Sequence, residues 1–313
     1  AALATGMALA GTQTYTLNAH FDLGVLSGVN HTVADQLQLN AVGQTTFPVL
    51  WIANAGDDTV TKFDSALNKE VARYRTWFNP GTTSGYSHQN SPWTGPAPSR
   101  TAVDLNGDAY VLNRHFEGRR PLLMKILANG FVDRNGNGVV DTSSDVNNNG
   151  GIDGAELFDL FDTNSNGVID SNEIRDERIA WAVNVGAGGS IGRSLCLAPD
   201  GLSLWVGTYN DRMYYQVSTV NGAQISSAVS VSWTPYGCVV DSTGNLWSAS
   251  LSAVLGKINT GTHAVSAYGH GGVNGSSNYV VTLGNGRVYM AMIDNAGTFI
   301  KLKKHKNSYA AFS

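Results

Sequence analysis

An aromatic residue followed by small or apolar neighbours returns along this chain at a spacing that settles on 42 residues, and a period of that length admits few folds. It occurs in Leu50-Trp51-Ile52-Ala53, Ala109-Tyr110-Val111, Leu204-Trp205-Val206-Gly207, Leu246-Trp247-Ser248-Ala249 and Val288-Tyr289-Met290-Ala291. The intervals between the aromatics are 59, 95, 42 and 42 residues. In four of the five, a glycine stands three or four residues earlier, at Gly107, Gly201, Gly244 and Gly286. Before these glycines run apolar stretches such as Thr101-Ala102-Val103 and Cys238-Val239-Val240. The pattern reads as strand, tight turn, strand.

The two longer intervals then hold insertions. One is the Gly/Pro/Ser/Thr-rich stretch from Asn79 to Pro98, and the other is an acidic segment within the 95-residue interval. Two further alternating stretches follow the aromatic, as in Thr59 to Phe63 with Val71 to Arg75, and Leu255 to Ile258 with Ala264 to Tyr268. Four strands in 42 residues make a propeller blade. The predicted fold is therefore all-β, a β-propeller of about five four-stranded blades. Alternation from Thr14 to Phe21 leaves room for a sixth partial blade or a closing strand. The predicted organisation is an N-terminal arm at 1–34, two blades at 35–132, an insertion at 133–176 and the remaining blades at 177–313.

Units of the form apolar-Asp-x-x-Gly-x-aromatic-x-Ala/Gly resemble the blades of NHL-type and streptogramin-lyase-like propellers. The resemblance covers about Asp35 to Ser313 without the acidic segment, and it speaks to architecture more than to activity. In streptogramin lyases it implies general acid/base chemistry by His and Glu in the later blades. Here His263 and His270 have no Glu partner beyond Glu177, so that carry-over fails on its carboxylate.

Between Asp133 and Glu177 stand eleven carboxylates against two arginines. Their spacing is that of EF-hand-type loops, with oxygen ligands at positions 1, 3, 5, 9 and 12, a backbone carbonyl at 7 and Gly at 6, because calcium takes six to eight hard oxygens around a sharp bend. One loop reads Asp145, Asn147, Asn149, Gly150, Gly151, Asp153 and Glu156, and another Asp162, Asn164, Asn166, Gly167, Val168, Asp170 and Glu173. An earlier copy has Asp133, Asn135, Asn137, Gly138, Val139 and Asp141 but Ser144 at position 12, so its bidentate ligand is missing and Asp145 is the candidate to serve both loops. The predicted cofactor is calcium, in two strong loops and a third weaker or shared one. Loop starts only 12 and 17 residues apart leave no room for paired flanking helices, and the segment resembles dockerin and thrombospondin type 3 calcium repeats. Only Ala155 to Phe161 has room for a short helix. Neutral Asn at positions 3 and 5 lowers the ligand charge and points to weak, extracellular-type affinity, on the order of 10⁻⁴ to 10⁻³ M.

Cys196 and Cys238 each lie nine residues before a blade aromatic. Equivalent positions in adjacent blades point the same way round the ring, which predicts free buried thiols. None of the seven histidines stands in a His-x-x-x-His or His-Glu pair, and His88, His115 and His270 read as ordinary loop residues. No catalytic or cofactor-binding residue is assigned. The basic run Lys301 to Lys306 reads as an edge strand guarded by lysines. With 20 basic against 24 acidic side chains, no global positive charge calls for nucleic acid, and no run of about 18 apolar residues spans a membrane.

The apolar, uncharged Ala1 to Gly11 reads as a processed terminus suited to strand addition, within its own propeller or onto a neighbour's, where a heterologous contact repeats into a filament. The functional expectation is an exported, non-enzymatic, calcium-stabilised propeller, extracellular or on the surface of a prokaryotic cell. Its role is structural or adhesive, with self-association through residues 1–11. The alternatives are a monomeric propeller that binds a glycan, peptide or cell-surface partner, with Tyr86, Trp93 and Tyr236 as its aromatic cluster, and a lyase-like enzyme built on His115, His270 and Asp211.

Overall fold

Tyr110, Trp205 and Trp247 are buried, each on a strand whose two faces are both covered. That demand, apolar side chains on both sides of a sheet, is what the repeat encodes. The computed structural model describes residues 16–23, 29–39, 48–80, 93–252, 254–269, 277–284, 287–293 and 299–305. The chain divides into two compact units, Ala1–Phe47 and Pro48–Ser313.

In the first unit a single helical turn, α1 (Asn18–Phe21), is followed by the antiparallel pair β1 (Val29–Asn30) and β2 (Gln38–Leu39). The alternation from Thr14 to Phe21 predicts a strand, but Asn18–Phe21 is helical. Leu17 and Phe21 are also four apart, the spacing of one helix face. Asn18 is fixed in the turn by reciprocal bonds, its N–H donating to Asp35 Oδ1 at 2.9 Å and the Asp35 N–H to Asn18 Oδ1 at 2.8 Å. Thr14, Tyr15 and the arm at residues 1–11 lie outside the described residues.

Among its described residues the second unit carries five consecutive antiparallel sheets. The first holds β3 (Val49–Asn54), β4 (Thr59–Asp64) and β5 (Lys69–Arg75), followed by the short β6 (Phe78–Pro80). The second holds β7 (Pro98–Val103), β8 (Ala109–Asn113) and β9 (Leu122–Ile126). Then come β10 (Leu160–Asp162), which pairs in parallel with β6, and β11 (Ile179–Asn184), which returns to complete the second sheet beside β9. The third is β12 (Gly192–Leu197), β13 (Ser203–Thr208), β14 (Met213–Ser218) and β15 (Val229–Ser230). The fourth is β16 (Pro235–Val240), β17 (Asn245–Ser250), β18 (Val254–Asn259) and β19 (Val265–Gly269). The fifth is β20 (Ser277–Gly284), β21 (Arg287–Ile293) and β22 (Phe299–His305). Successive sheets touch through β3 and β7, β7 and β12, β12 and β16, and β16 and β20. This is a β-propeller, with three described strands rather than four in its first and last blades.

Four apolar layers fill the spaces between neighbouring blades. Val60, Tyr74, Val111 and Met124 lie between the first and second; Tyr110, Leu112, Leu195 and Val206 between the second and third. Trp205, Tyr214, Leu246 and Ile258 lie between the third and fourth, and Trp247, Leu255, Val281 and Val288 between the fourth and fifth. On β8 the alternation is complete, Val111 facing back and Tyr110 and Leu112 facing forward.

The turn that joins the first two strands of a blade explains the Asp of the motif. Asp104 pairs with Asp108, and Asp241 with Asn245, around three-residue loops that end in a left-handed glycine, Gly107 at φ +82° and Gly244 at φ +78°. The Asp carboxylate accepts backbone N–H groups across the loop, then the polar head of the aromatic: Tyr110 Oη donates to Asp104 Oδ2 at 2.9 Å and Trp247 Nε1 to Asp241 Oδ2 at 2.8 Å.

The third blade departs from this, and the departure overturns the expectation of free thiols. Its hairpin loop between Ala198 and Ser203 is one residue longer. Cys196 therefore pairs opposite Trp205, whereas in the fourth blade Val239 opposes Trp247 and Cys238 opposes Ser248. A shift of one residue moves a strand side chain to the opposite face. Counting nine residues back from each aromatic thus lands on opposite faces, and the two cysteines turn toward each other. They form a disulfide between β12 and β16 with Cα atoms 5.6 Å apart.

Candidate metal centre

The acidic insertion leaves the second blade after β9 and returns at β11. It is anchored through its own apolar residues: Leu160, Ile169 and Ile174 are buried in the layer between the first two blades. No helix forms over Ala155 to Phe161. A single 3-10 turn covers Gly154–Glu156, and the chain then extends into β10, because Leu160 and Phe161 are buried as a strand beside β6. Arg75 Nε fixes the approach at 2.6 Å from Asp159 Oδ1.

The three loops share one conformation. Positions 4 and 6 are left-handed in each: Gly136 and Gly138 in the first loop, Asn148 and Gly150 in the second, Ser165 and Gly167 in the third. The position-1 carboxylate accepts the position-6 N–H, as Asp133 does from Gly138 at 3.0 Å, Asp145 from Gly150 at 3.0 Å and Asp162 from Gly167 at 2.9 Å. The position-3 amide oxygen accepts the position-5 N–H, through Asn135 and Asn137, Asn147 and Asn149, and Asn164 and Asn166. The position-5 oxygen accepts the position-7 N–H, from Val139, Gly151 and Val168. At position 9, Asp141 and Asp170 each take two Asn amide N–H groups, and Asp153 caps the turn at Ala155.

The position-12 glutamates close the second and third loops. Glu156 accepts from Val146 and Asn147 on Oε1 and from Asp153 on Oε2. Glu173, nearly buried, accepts from Thr163 and Asn164 on Oε1 and from Asp170 on Oε2. Burial works against its charge, but the Thr163 hydroxyl and the three N–H groups outweigh it and hold the carboxyl below the usual range. In the first loop Asp145 takes no such part, its oxygens accepting from Asn149 and Gly150 of its own loop. The first loop instead meets Glu177, which sequence reasoning left unassigned at the end of the acidic segment: it accepts from Arg134 on Oε1 and Asp141 on Oε2.

The donor set is wholly hard oxygen, from Asp, Asn, Glu and the position-7 carbonyl, around a left-handed glycine, which fits calcium and no thiophilic metal. Among the described residues no group of three or more His, Cys, Asp or Glu side chains is close enough to hold a metal by itself. Half of the ligand set in the second and third loops is amide and carbonyl, and the carboxylates are engaged by backbone N–H or Asn amide N–H groups.

A second polar group lies where the innermost strands approach one another. Arg193 on β12 and Tyr236 on β16 are each the residue passed over where strand register slips, and a bulge re-aims the side chain it carries. Arg193 donates to the Tyr236 hydroxyl, and Arg100 on β7 donates to the Arg193 and Tyr236 carbonyls at 2.8 and 2.6 Å. Arg114 lies over the Trp93 and Phe116 rings; burial, with the charges of Arg193 and Arg100, pushes its guanidinium down to about 10. Tyr86 lies outside the described residues.

His115 corrects the reading of unpaired loop histidines. It is buried at φ +58°, with Nδ1 2.5 Å from Glu117 Oε1 and its ring 5.1 Å from Trp77. The run His115-Phe116-Glu117 was the available signal. Among the described residues no hydrogen bond joins His115 to Asp211, whose Oδ2 accepts from Tyr215. His263 packs edge-on against Trp205, and His88 and His270 lie outside the described residues.

No protein-family model and no curated protein matches the sequence. Solved structures do. Virginiamycin B lyase from Staphylococcus aureus is 13% identical with a TM-score of 0.41, over 88% of this chain and 76% of that one. A streptogramin B lyase structure is 15% identical with a TM-score of 0.42, over 88% and 75%. A protein of unknown function from Bacteroides caccae is 10% identical with a TM-score of 0.39, over 84% and 96%. At these identities the likeness concerns the fold alone. No helix among the described residues is long and apolar enough to cross a membrane.

Proposed function

We propose that this chain is an exported, non-enzymatic β-propeller stabilised by calcium, with a structural or adhesive role outside a prokaryotic cell and self-association through residues 1–11. The observation that carries the reading is the pair of loops from Asp145 to Glu156 and from Asp162 to Glu173, which combine the ligand spacing with left-handed glycines and glutamates folded back over positions 2 and 9. The Cys196–Cys238 disulfide supports an oxidising compartment. When bound, calcium would supply a fixed positive centre for Asp145, Asn147, Asn149, Gly151, Asp153 and Glu156, and likewise for Asp162, Asn164, Asn166, Val168, Asp170 and Glu173. The chain's part is to present those oxygens and to bury Ile152 and Ile169 beneath them.

Two measurements test the two halves. Calorimetric titration with calcium after chelation reads the metal, and absence of binding up to about 10 mM, above the weakest extracellular range, overturns that half. Sedimentation velocity in calcium, with and without residues 1–11, reads assembly; large species that persist in the truncated chain overturn the arm's role.

An enzymatic reading keeps one observation, the buried His115 ring with its Nδ1 2.5 Å from Glu117 Oε1, a contact by which a carboxylate fixes the orientation of an imidazole. Incubation with virginiamycin B, the substrate in a structural neighbour's name, tests it by a mass change that the His115→Ala chain fails to produce.

A further inference from the structure

We infer that the first loop is a third metal site of the same kind, and that Glu177, thirty-three residues beyond Ser144, is its position-12 ligand. The inference rests on the calcium reading of the other two loops. Each glutamate straddles its loop in one way, one oxygen on the position-2 N–H and the other on the position-9 N–H. For Glu156 these are Val146 at 2.8 Å and Asp153 at 3.1 Å; for Glu173, Thr163 at 2.6 Å and Asp170 at 2.9 Å. For Glu177 they are Arg134 at 2.8 Å and Asp141 at 3.0 Å. Ser144 offers a single neutral hydroxyl, directed at the Thr142 carbonyl.

Burial gives a second argument. Glu177 is 1% exposed, and among the described residues no Lys, Arg or His side-chain nitrogen lies within salt-bridge distance of it. Arg134 is near, but its guanidinium donates to the carbonyls of Asp176, Ile179 and Ala180. The neighbouring Asp176 is equally buried, yet it is satisfied by Thr142, both donors of Ser143 and the Arg178 N–H. Glu177 has one neutral donor per oxygen. A buried carboxylate so placed is costly unless a cation completes its shell, and Asp133, Asn135, Asn137, Val139 and Asp141 are arrayed where that cation would sit.

The position of Glu177 gives this site a different task. The second and third loops each tie twelve consecutive residues. The first joins the way into the insertion to the way out, since Val132 and Asp141 already bond the Glu177 backbone and Leu127 bonds Arg178. Metal in this site would close the neck of the whole segment from 133 to 177 against the second blade.

Bound calcium per full-length chain, counted by equilibrium dialysis at about 10 mM free ion, tests the assignment. Three ions are expected for the native chain and two each for Glu177→Gln and Glu173→Gln. Two ions in the native chain and in Glu177→Gln, falling to one in Glu173→Gln, would overturn the third site and leave the calcium reading standing. None in the native chain would overturn both. If Glu177→Gln fails to fold, Asp133→Asn at an exposed position replaces it, with the same loss expected and an unchanged count overturning the proposal.

Discussion

The Trp247 indole N–H donates to Asp241 Oδ2 at 2.8 Å, across the turn that joins the first two strands of the fourth blade. The other oxygen of the same carboxylate takes the N–H groups of Thr243 and Asn245. One residue thus shapes the hairpin and satisfies the polar end of the aromatic that fills the next layer. Burial opposes the Asp241 charge, but these donors prevail and hold its pKa below the ordinary carboxylate value. A depressed carboxylate contributes stability above its unfolded pKa, about 3.9, and that contribution is lost as pH falls through the folded value. Asp241→Asn should cost about 1 kcal/mol at neutral pH, at the low end because the group is partly exposed. Urea midpoints of both chains between pH 7 and pH 3 check this: the gap should narrow below about pH 4, and a constant gap would refute it.

Breaking the disulfide removes a constraint across 42 residues of chain. The loop-entropy relation puts its loss at about 4 kcal/mol. Cys196→Ala/Cys238→Ala should lower the unfolding free energy from denaturant titration by that amount, and a reductant should lower the native midpoint while leaving the double variant unmoved.

Gly256 is held for space. A Cβ there would stand 2.1 and 2.2 Å from two Trp233 ring atoms, and Trp233 is buried with its indole N–H on Ser248 Oγ. Gly256→Ala should destabilise the chain by about 3 kcal/mol. Adding Trp233→Leu should recover part of that loss, read as a non-additive double-mutant cycle; strict additivity would mean the two sites do not compete.

Chelation of calcium should loosen the insertion before the blades. Limited proteolysis in a chelator is expected to cut within residues 133–177 and to leave the third and fourth blades intact. Restored calcium should protect the segment, and magnesium, which demands a tighter octahedron, should not. Equal cleavage with and without calcium would count against a metal-held insertion.

The blades were legible because a strand buried on both faces must be apolar along its centre, as Leu204, Trp205 and Val206 are, and because Asp104 and Asp241 repeat a turn with fixed geometry. The shared conformation of the three acidic loops was legible because the Asp, Asn and Gly that shape each one lie close together in sequence. What escaped was set by small offsets or long reach. One extra residue between Ala198 and Ser203 reversed a face and made a disulfide from cysteines that counted as equivalent. Glu177 serves a loop that begins forty-four residues before it, which no contiguous motif can express. The helical turn at Asn18–Phe21 depends on Asp35, seventeen residues on.

The pairing of β9 with β11 spans the whole insertion, from Ile126 to Ile179. The third and fourth blades are meanders whose neighbours in space are neighbours in sequence, and such local contacts form early, whereas a distant pairing must first bear the entropy of closing its loop. The second blade is therefore expected to finish last, once the acidic segment has brought β11 back to β9. On the calcium reading proposed above, an ion that orders the acidic segment would also bring β9 and β11 together, so that metal and strand order would act on one step of assembly.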